Sequence, residues 1–240
     1  MISEREPDPR TGSISSATAL SARGGWSPAA EGSAAPTTLL LLRHGETTLT
    51  PQKRFSGSGG TDPELSEVGR RQAARAAEST LLATAGVDVV VCSPLRRCRQ
   101  TAAVVARGLG LELVIDDGLR EADFGQWEGL TYEEVRSRFP EDLQAWHGSA
   151  DVAPTGSAES FAEVAERIAR TRDELLSRYQ GKLVLAVTHV TPIKALIQLA
   201  LNAPAEAVHA MELSPASFSS VPYTGTTSSM RLYNDVSHLR

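Results

Sequence analysis

Arg43 and His44 follow directly on an apolar run, Leu39–Leu42, and two more basic groups stand in equivalent places. Arg97 lies just past the run Val87–Cys92, in the first turn of a helix that Ser93-Pro94 would open. His189 ends the run Leu183–Thr188, ahead of Thr191-Pro192. A charged Arg-His pair is hard to place in a core. Guanidinium and imidazole groups, joined by the free N–H groups and positive dipole of a helix start, suit phosphate or a similar anion. If the three runs are strands of one sheet, Arg43, His44, Arg97 and His189 share one rim. That rim lies beyond the carboxyl ends of the strands, where open α/β sheets bind ligands.

The rest of the sequence supplies such a sheet. Thr38–Leu42, Val87–Cys92, Leu111–Ile115 and Leu183–Thr188 read as buried strands. Ser66 is placed to cap a helix over 67–82, and Ser93-Pro94 reads as cap plus first residue of a helix to about 108. Residues 131–147 read as two short helices broken at Pro140. Residues 159–179 carry a helical stripe, Phe161, Val164, Ile168, Leu175 and Tyr179, and Thr191-Pro192 opens a helix over 192–201. Ala216–Val221 and Ser228–Tyr233 read as final strands. Strands alternating with helices predict a three-layer α/β/α sandwich around a mostly parallel sheet. The long loop 47–63, rich in Gly, Ser, Thr and Pro, is of the kind that carries function. Residues 1–36 differ: Ser, Gly, Ala and Pro fill 22 of the 36 positions, leaving too little apolar surface to offset ordering entropy. They read as a disordered N-terminal tail or linker, with 37–240 as one domain.

Composition narrows the classes of function. The 240 residues hold 24 Lys+Arg against 29 Asp+Glu, a net charge of −5, which argues against a nucleic-acid binder acting through overall charge. An anion must then be held by a local cluster of cations. No apolar run approaches the roughly 18 residues of a membrane span, so no membrane partner is expected. Cys92 and Cys98 have neither zinc nor CxxC spacing, and the five histidines form no HxH or HExxH cluster. We expect no metal, no cofactor, and two reduced thiols in a cytoplasmic protein. His147, His209 and His238 read as surface or structural.

Four segments carry a resemblance. Leu42-Arg43-His44-Gly45-Glu46-Thr47 resembles the R-H-G signature of the histidine phosphatase (phosphoglycerate mutase-like) superfamily. Ser93-Pro94-Leu95-Arg96-Arg97-Cys98-Arg99-Gln100-Thr101 resembles its S-x-L-x-R-A-x-x-T helix. Leu119-Arg120-Glu121-Ala122-Asp123-Phe124-Gly125-Gln126-Trp127-Glu128-Gly129 resembles the L-x-E-x-x-F-G-x-W-E-G segment of the phosphatase branch, and Val187-Thr188-His189 the second-histidine motif. In finer detail the chain is similar to the alpha-ribazole phosphatase-like group, and most to the C-terminal acid phosphatase half of actinobacterial bifunctional ribonuclease H/acid phosphatase proteins. On that likeness residues 1–36 correspond to an inter-domain linker, and the ribonuclease half is absent from this chain.

The resemblance implies a phosphoglycerate mutase-like fold and a role for each residue. His44 is the implied nucleophile, forming a phosphohistidine; adjacent arginines favour its neutral form, and its other ring nitrogen should donate to a backbone carbonyl. Arg43, Arg97 and His189 are implied to clamp the phosphoryl oxygens. Glu121 is the implied general acid/base, with its pKa raised by burial or by the phosphate. Arg54-Phe55-Ser56-Gly57 matches the loop where the family places substrate. Thr50 stands where the family has an Asn that reaches the phosphate, and offers a shorter hydroxyl. Ser157-Ala158-Glu159-Ser160 replaces a G-G-E-S, so a backbone needing glycine there would be strained. Trp127 and Phe124 read as packing groups.

The implied activity is metal-independent hydrolysis of small phosphate monoesters, either of alpha-ribazole 5′-phosphate or over a broad acid phosphatase range. The alternatives are mutase-type phosphotransfer and a non-catalytic phosphate-binding module. Glu121 and His189 are 68 residues apart, short for a mutase by family comparison, and an exposed phosphoenzyme favours hydrolysis.

Overall fold

A computed structural model describes residues 35–240; the reading of 1–34 as tail or linker lies outside the described residues. The first strand, β1, spans Thr37–Arg43. It is followed by α1 (Glu67–Ala77), α2 (Thr80–Ala85), β2 (Val89–Cys92), α3 (Arg96–Leu109) and β3 (Leu113–Ile115). Then come α4 (Tyr132–Arg138), α5 (Pro140–Gly148), α6 (Phe161–Arg178), β4 (Leu183–Thr188), α7 (Val190–Leu201), β5 (Phe218–Thr224), β6 (Thr227–Ser228) and β7 (Leu232–Asp235). The strands form one sheet in the order β3-β2-β4-β1-β5-β6, with β7 also paired to β5. β3, β2, β4 and β1 are parallel, while β5 to β7 form an antiparallel margin.

The leucine run explains β1. Leu39 and Leu41 face one cluster, built with Val184, Ala186, Val164, Ile168 and Ile193; Leu40 and Leu42 face the other, with Val90, Leu185, Ala102 and Val105. A parallel strand buried on both faces requires such a continuous apolar sequence. α1 and α3 thus cover one face, α6 and α7 the other, giving the expected three layers. A smaller cluster of Trp127, Val135 and Leu143 seats α4 and α5 as a cap. Among the described residues no helix is long and apolar enough to cross a membrane.

Several boundaries differ from the sequence reading. The helix expected over 67–82 is two: Ser66 caps α1, and Ser79 accepts from Leu82 N at 3.3 Å to cap α2. Ser93-Pro94 is not a cap-plus-first-residue pair, because helical geometry starts at Arg96. The Asp62 carboxylate, from the long loop, caps that end through Arg96 N at 2.9 and 3.0 Å. α7 starts two residues before Pro192. The last strand breaks into β6 and β7, and β5 starts at Phe218 because Ala216 takes a left-handed φ of +55°. The break at Pro140, by contrast, falls as read, with Pro140 opening α5. Ser157 and Ala158 carry no left-handed strain; Gly156, at φ +78°, makes the turn instead.

Two glycines bring α1 against the start of the site. A Cβ on Gly69 would lie 1.9 Å from the Glu46 carbonyl oxygen, and one on Gly45 would lie 2.6 Å from the Gly69 carbonyl. Both contacts are with backbone, which cannot step aside. Gly69→Ala is therefore expected to cost about 2 kcal/mol as an overpacked contact. Thermal unfolding should show it as a fall in Tm of about 4–8 °C. An unchanged Tm would mean that the helix is not seated on this turn.

Candidate active site

Register brings the predicted rim together. Arg43 pairs with Thr188, and Cys92 with Val187, so His44, Ser93 and His189 leave three adjacent strands at one edge. His44 is held by its backbone: its N–H donates to Thr188 O at 3.0 Å, and its carbonyl accepts from Ala216 N at 3.2 Å. Gly45 N–H donates to the Thr101 hydroxyl at 3.1 Å, and that hydroxyl donates to Arg97 O at 2.9 Å. α3 is thereby tied to the turn that carries His44.

A cavity of about 400 Å³ opens at this edge, lined by Arg43, His44, Arg97 and Glu121 among others. His44 is buried, with Nδ1 2.7 Å from Gly45 O. A carbonyl only accepts, so Nδ1 carries the proton and Nε2 keeps its lone pair. Burial, then Arg97 and Arg43, hold the imidazole pKa well below its ordinary value. The ring is thus neutral, with Nε2 as the nucleophilic atom.

Arg97 is 1% exposed. Its Nη2 donates to the carbonyls of Ser56 at 2.9 Å and Gly57 at 3.3 Å, and its Nε to His189 Nδ1 at 3.2 Å. Among the described residues its Nη1 makes no hydrogen bond and has only an ion-pair approach to Asp62 at 3.6 Å, and Arg43 Nε has no hydrogen-bond partner. Arg43 Nη1 donates to the Leu213 carbonyl. Burial lowers the Arg43 pKa to about 10, which leaves the group cationic at neutral pH. A buried donor without a partner costs about 1–3 kcal/mol, and an anion in the cavity would offset that cost.

His189, expected as a phosphoryl clamp, is placed behind His44 at the same strand edge. It is fully buried and lies behind the cavity wall, and both ring nitrogens are engaged. Nδ1 accepts from Arg97 Nε, so Nε2 carries the proton and donates to Ser93 Oγ at 2.7 Å. Its ring stands edge-on to His44, with centroids 5.1 Å apart. In this arrangement His189 orients Arg97 and backs His44. Ser93, read as a helix cap, is its partner.

Glu121 is buried at the start of α7. Its carboxylate accepts from Ala122 N at 2.9 Å and from Thr191 N at 3.2 Å. Burial raises its pKa; these N–H groups and Arg97 oppose the rise. The segment before it is pinned from two sides. Thr188 Oγ1 donates to Leu119 O at 2.6 Å, and Arg167 donates to the carbonyls of Gly118 and Arg120 at 2.8 and 3.0 Å. Arg167 is in turn held by Glu159 through two bonds of 2.7 and 3.0 Å. The role of Glu159 was not legible from its altered motif.

Thr50 and Arg54 line the cavity but are already occupied. Thr50 Oγ1 accepts from Thr47 N at 3.0 Å, which shapes the loop. Arg54 Nη1 donates to Glu134 and to Gly129 O, each at 2.7 Å, joining the loop to α4. Gly57 passes so close to Ala122 O that a Cβ would lie 2.2 Å away, and the Glu128 carboxylate holds its N–H at 2.9 and 3.0 Å. Trp127 packs as read, donating to Asp142 at 2.8 Å. Phe124 does more, since it also lines the cavity. Lys53, which the motifs did not single out, adds a further cation to the wall. Its only sequence signal is a positive charge inside the long loop.

Residues 39–236 match the family model described as histidine phosphatase superfamily, branch 1. The chain is 46% identical over 205 residues to the bifunctional protein Rv2228c of Mycobacterium tuberculosis, a stretch covering 85% of this chain and 55% of that protein. The chain thus spans about half the length of that relative. It is 34% identical over 158 residues to phosphoserine phosphatase 1 of Hydrogenobacter thermophilus, covering 66% and 73% of the two chains. The crystal structure of the alpha-ribazole phosphatase from Shigella flexneri superposes with a TM-score of 0.72 at 28% identity, over 83% of this chain and 96% of that one.

Proposed function

The chain belongs to branch 1 of the histidine phosphatase superfamily, and on that basis we propose that it is a metal-independent phosphomonoesterase working through a phosphohistidine on His44. The observation that carries this reading is the pairing of a neutral imidazole, its Nε2 lone pair free, with two buried guanidinium donors at the same cavity that make no hydrogen bond, Arg43 Nε and Arg97 Nη1, the latter only 3.6 Å from Asp62. A phosphoryl group satisfies both donors while Nε2 attacks phosphorus. The P–N bond forms as the P–O bond to the alcohol breaks. Glu121, whose carboxyl pKa burial raises, passes a proton from its acid form to the leaving oxygen. Water then attacks the phosphohistidine, Glu121 takes one of its protons, and phosphate leaves with His44 neutral again. Arg43 and Arg97 neutralise the equatorial oxygens throughout, in place before reaction and so without reorganisation. Lys53 and Arg54 add positive field at the mouth.

The substrate is a small phosphomonoester. Alpha-ribazole 5′-phosphate and a broad acid phosphatase range are the two candidates, and a cytoplasmic location suits either. The test is a panel of p-nitrophenyl phosphate, 3-phosphoglycerate, phosphoserine and alpha-ribazole phosphate, run without added metal and compared by kcat/KM. Release of inorganic phosphate is expected. Isomerised phosphoglycerate would point to a mutase, and no turnover of any ester would leave only phosphate binding.

A further inference from the structure

A second cavity of about 210 Å³ adjoins the first and shares Phe55, Phe124, Val190 and Thr191 with it. It lies on the side of Glu121 where α7 begins, because Thr191 holds the Glu121 carboxylate and also lines this space. A proton donated by Glu121, which lines the first cavity, goes to the leaving oxygen, and the alcohol portion of a substrate can extend from there past the shared Phe55, Phe124, Val190 and Thr191 into the second cavity. Four aromatic side chains, Trp146, Phe161 and the shared Phe55 and Phe124, line it alongside polar and charged groups. Trp146 is fixed by edge-on contacts to Trp127, at 5.6 Å between centroids, and to His209 at 5.4 Å. Rigid flat walls of this kind select a flat, apolar body.

The charged groups of this cavity are not equivalent. Asp123 is spent on the N–H groups of Gly125 and Ala158, each at 2.9 Å, and Glu159 on Arg167. Lys194 is half-buried in α7, one turn beyond Val190, and its Nζ donates to Val208 O at 3.0 Å. Among the described residues it forms no other hydrogen bond and no ion pair, which leaves two ammonium donors for the cavity. The charges of Glu121 and Glu212 act on this half-buried ammonium but no carboxylate bonds it, and an anionic group meeting it directly would offset part of its burial cost.

We propose that this cavity is the leaving-group subsite and that Lys194 reads a carboxylate on a flat, ring-bearing alcohol. The proposal rests on the phosphatase reading and narrows it, placing an acidic aryl or cyclic ester ahead of a neutral one. The test compares 3-carboxyphenyl phosphate with phenyl phosphate, whose leaving groups are closely matched in basicity. The chain is expected to favour the carboxylated ester by about tenfold in kcat/KM, mainly through KM, the value of one well-placed charge-assisted bond. In Lys194→Met that preference should fall to about one, and Lys194→Arg should restore part of it. Lys182→Met, an exposed residue paired with Asp88, serves as the control and should keep the wild-type ratio. Calorimetric binding of 3-hydroxybenzoate gives a readout that needs no turnover, and Lys194→Met should abolish it. A preference that survives Lys194→Met, or a wild-type preference for phenyl phosphate, would overturn the proposal. If neither ester is hydrolysed but 3-hydroxybenzoate still binds through Lys194, the phosphatase reading fails and the subsite stands.

Discussion

His44→Ala is expected to lower kcat/KM for every phosphomonoester by roughly 10⁴–10⁶-fold, the loss seen when a nucleophile is removed from a unit that acts together. At 1.36 kcal/mol per tenfold, the lower figure is about 5.5 kcal/mol of barrier. The loss should not come from unfolding. The imidazole makes its one hydrogen bond to the neighbouring Gly45 carbonyl, while the bonds to Thr188 and Ala216 that hold the turn belong to the backbone. The variant should therefore melt close to wild type and still bind phosphate through Arg43 and Arg97. Rapid quenching with a labelled substrate gives the direct check. Wild type should retain label through alkali and lose it in acid, as a phosphoramidate does, and His44→Ala should retain none. Wild-type turnover in the variant, or an acid-stable label, would remove His44 from the nucleophile's place. The expected pH dependence agrees with this assignment. Attack needs the neutral ring, and burial with two guanidinium groups keeps its pKa well below the ordinary imidazole value. Activity should persist as pH falls through 6.5 and fail only once the folded-state pKa of His44 is crossed.

The rim of basic groups was legible because it follows from two local facts: apolar runs long enough for strands buried on both faces, and charged residues where those runs stop. The pairing of Arg43 with Thr188 then places His44 beside His189 without further instruction. What was not legible depends on contacts between distant parts of the chain. Asp62 caps α3 from a loop more than thirty residues earlier, which frees Ser93 to hold His189 instead. The local signal for a Ser-Pro cap was sound, and a tertiary contact overrode it. The same holds for Gly69, whose need to be glycine comes from Glu46 and not from its place in a helix. Lys194 had one faint signal, the lone charge in the Thr191–Leu201 stretch. Its meaning appears only when Trp146 and Phe161 close the space around it.

Glu121→Gln separates proton donation from every other role of the site. The amide oxygen can still accept from Ala122 and Thr191, so the segment before α7 keeps its anchors and the fold should be unaffected. The amide cannot give up a proton as a carboxylic acid does. For an alkyl ester, whose alkoxide leaves poorly, kcat should fall by about 10²–10⁴-fold, the usual worth of a general acid. For p-nitrophenyl phosphate, whose phenolate departs without help, the fall in the first chemical step should be less than about tenfold. The sign of the pH effect follows from the same group. Burial raises the carboxyl pKa above its ordinary 4.5. The protonated, donating form therefore survives to higher pH than an exposed glutamate would allow, and activity on alkyl esters declines as pH rises through the raised value. In Glu121→Gln that declining limb should vanish, leaving a low and flatter profile. An equal loss on both classes of ester, with the limb retained, would assign the proton to another group and leave Glu121 as a structural anchor for α7.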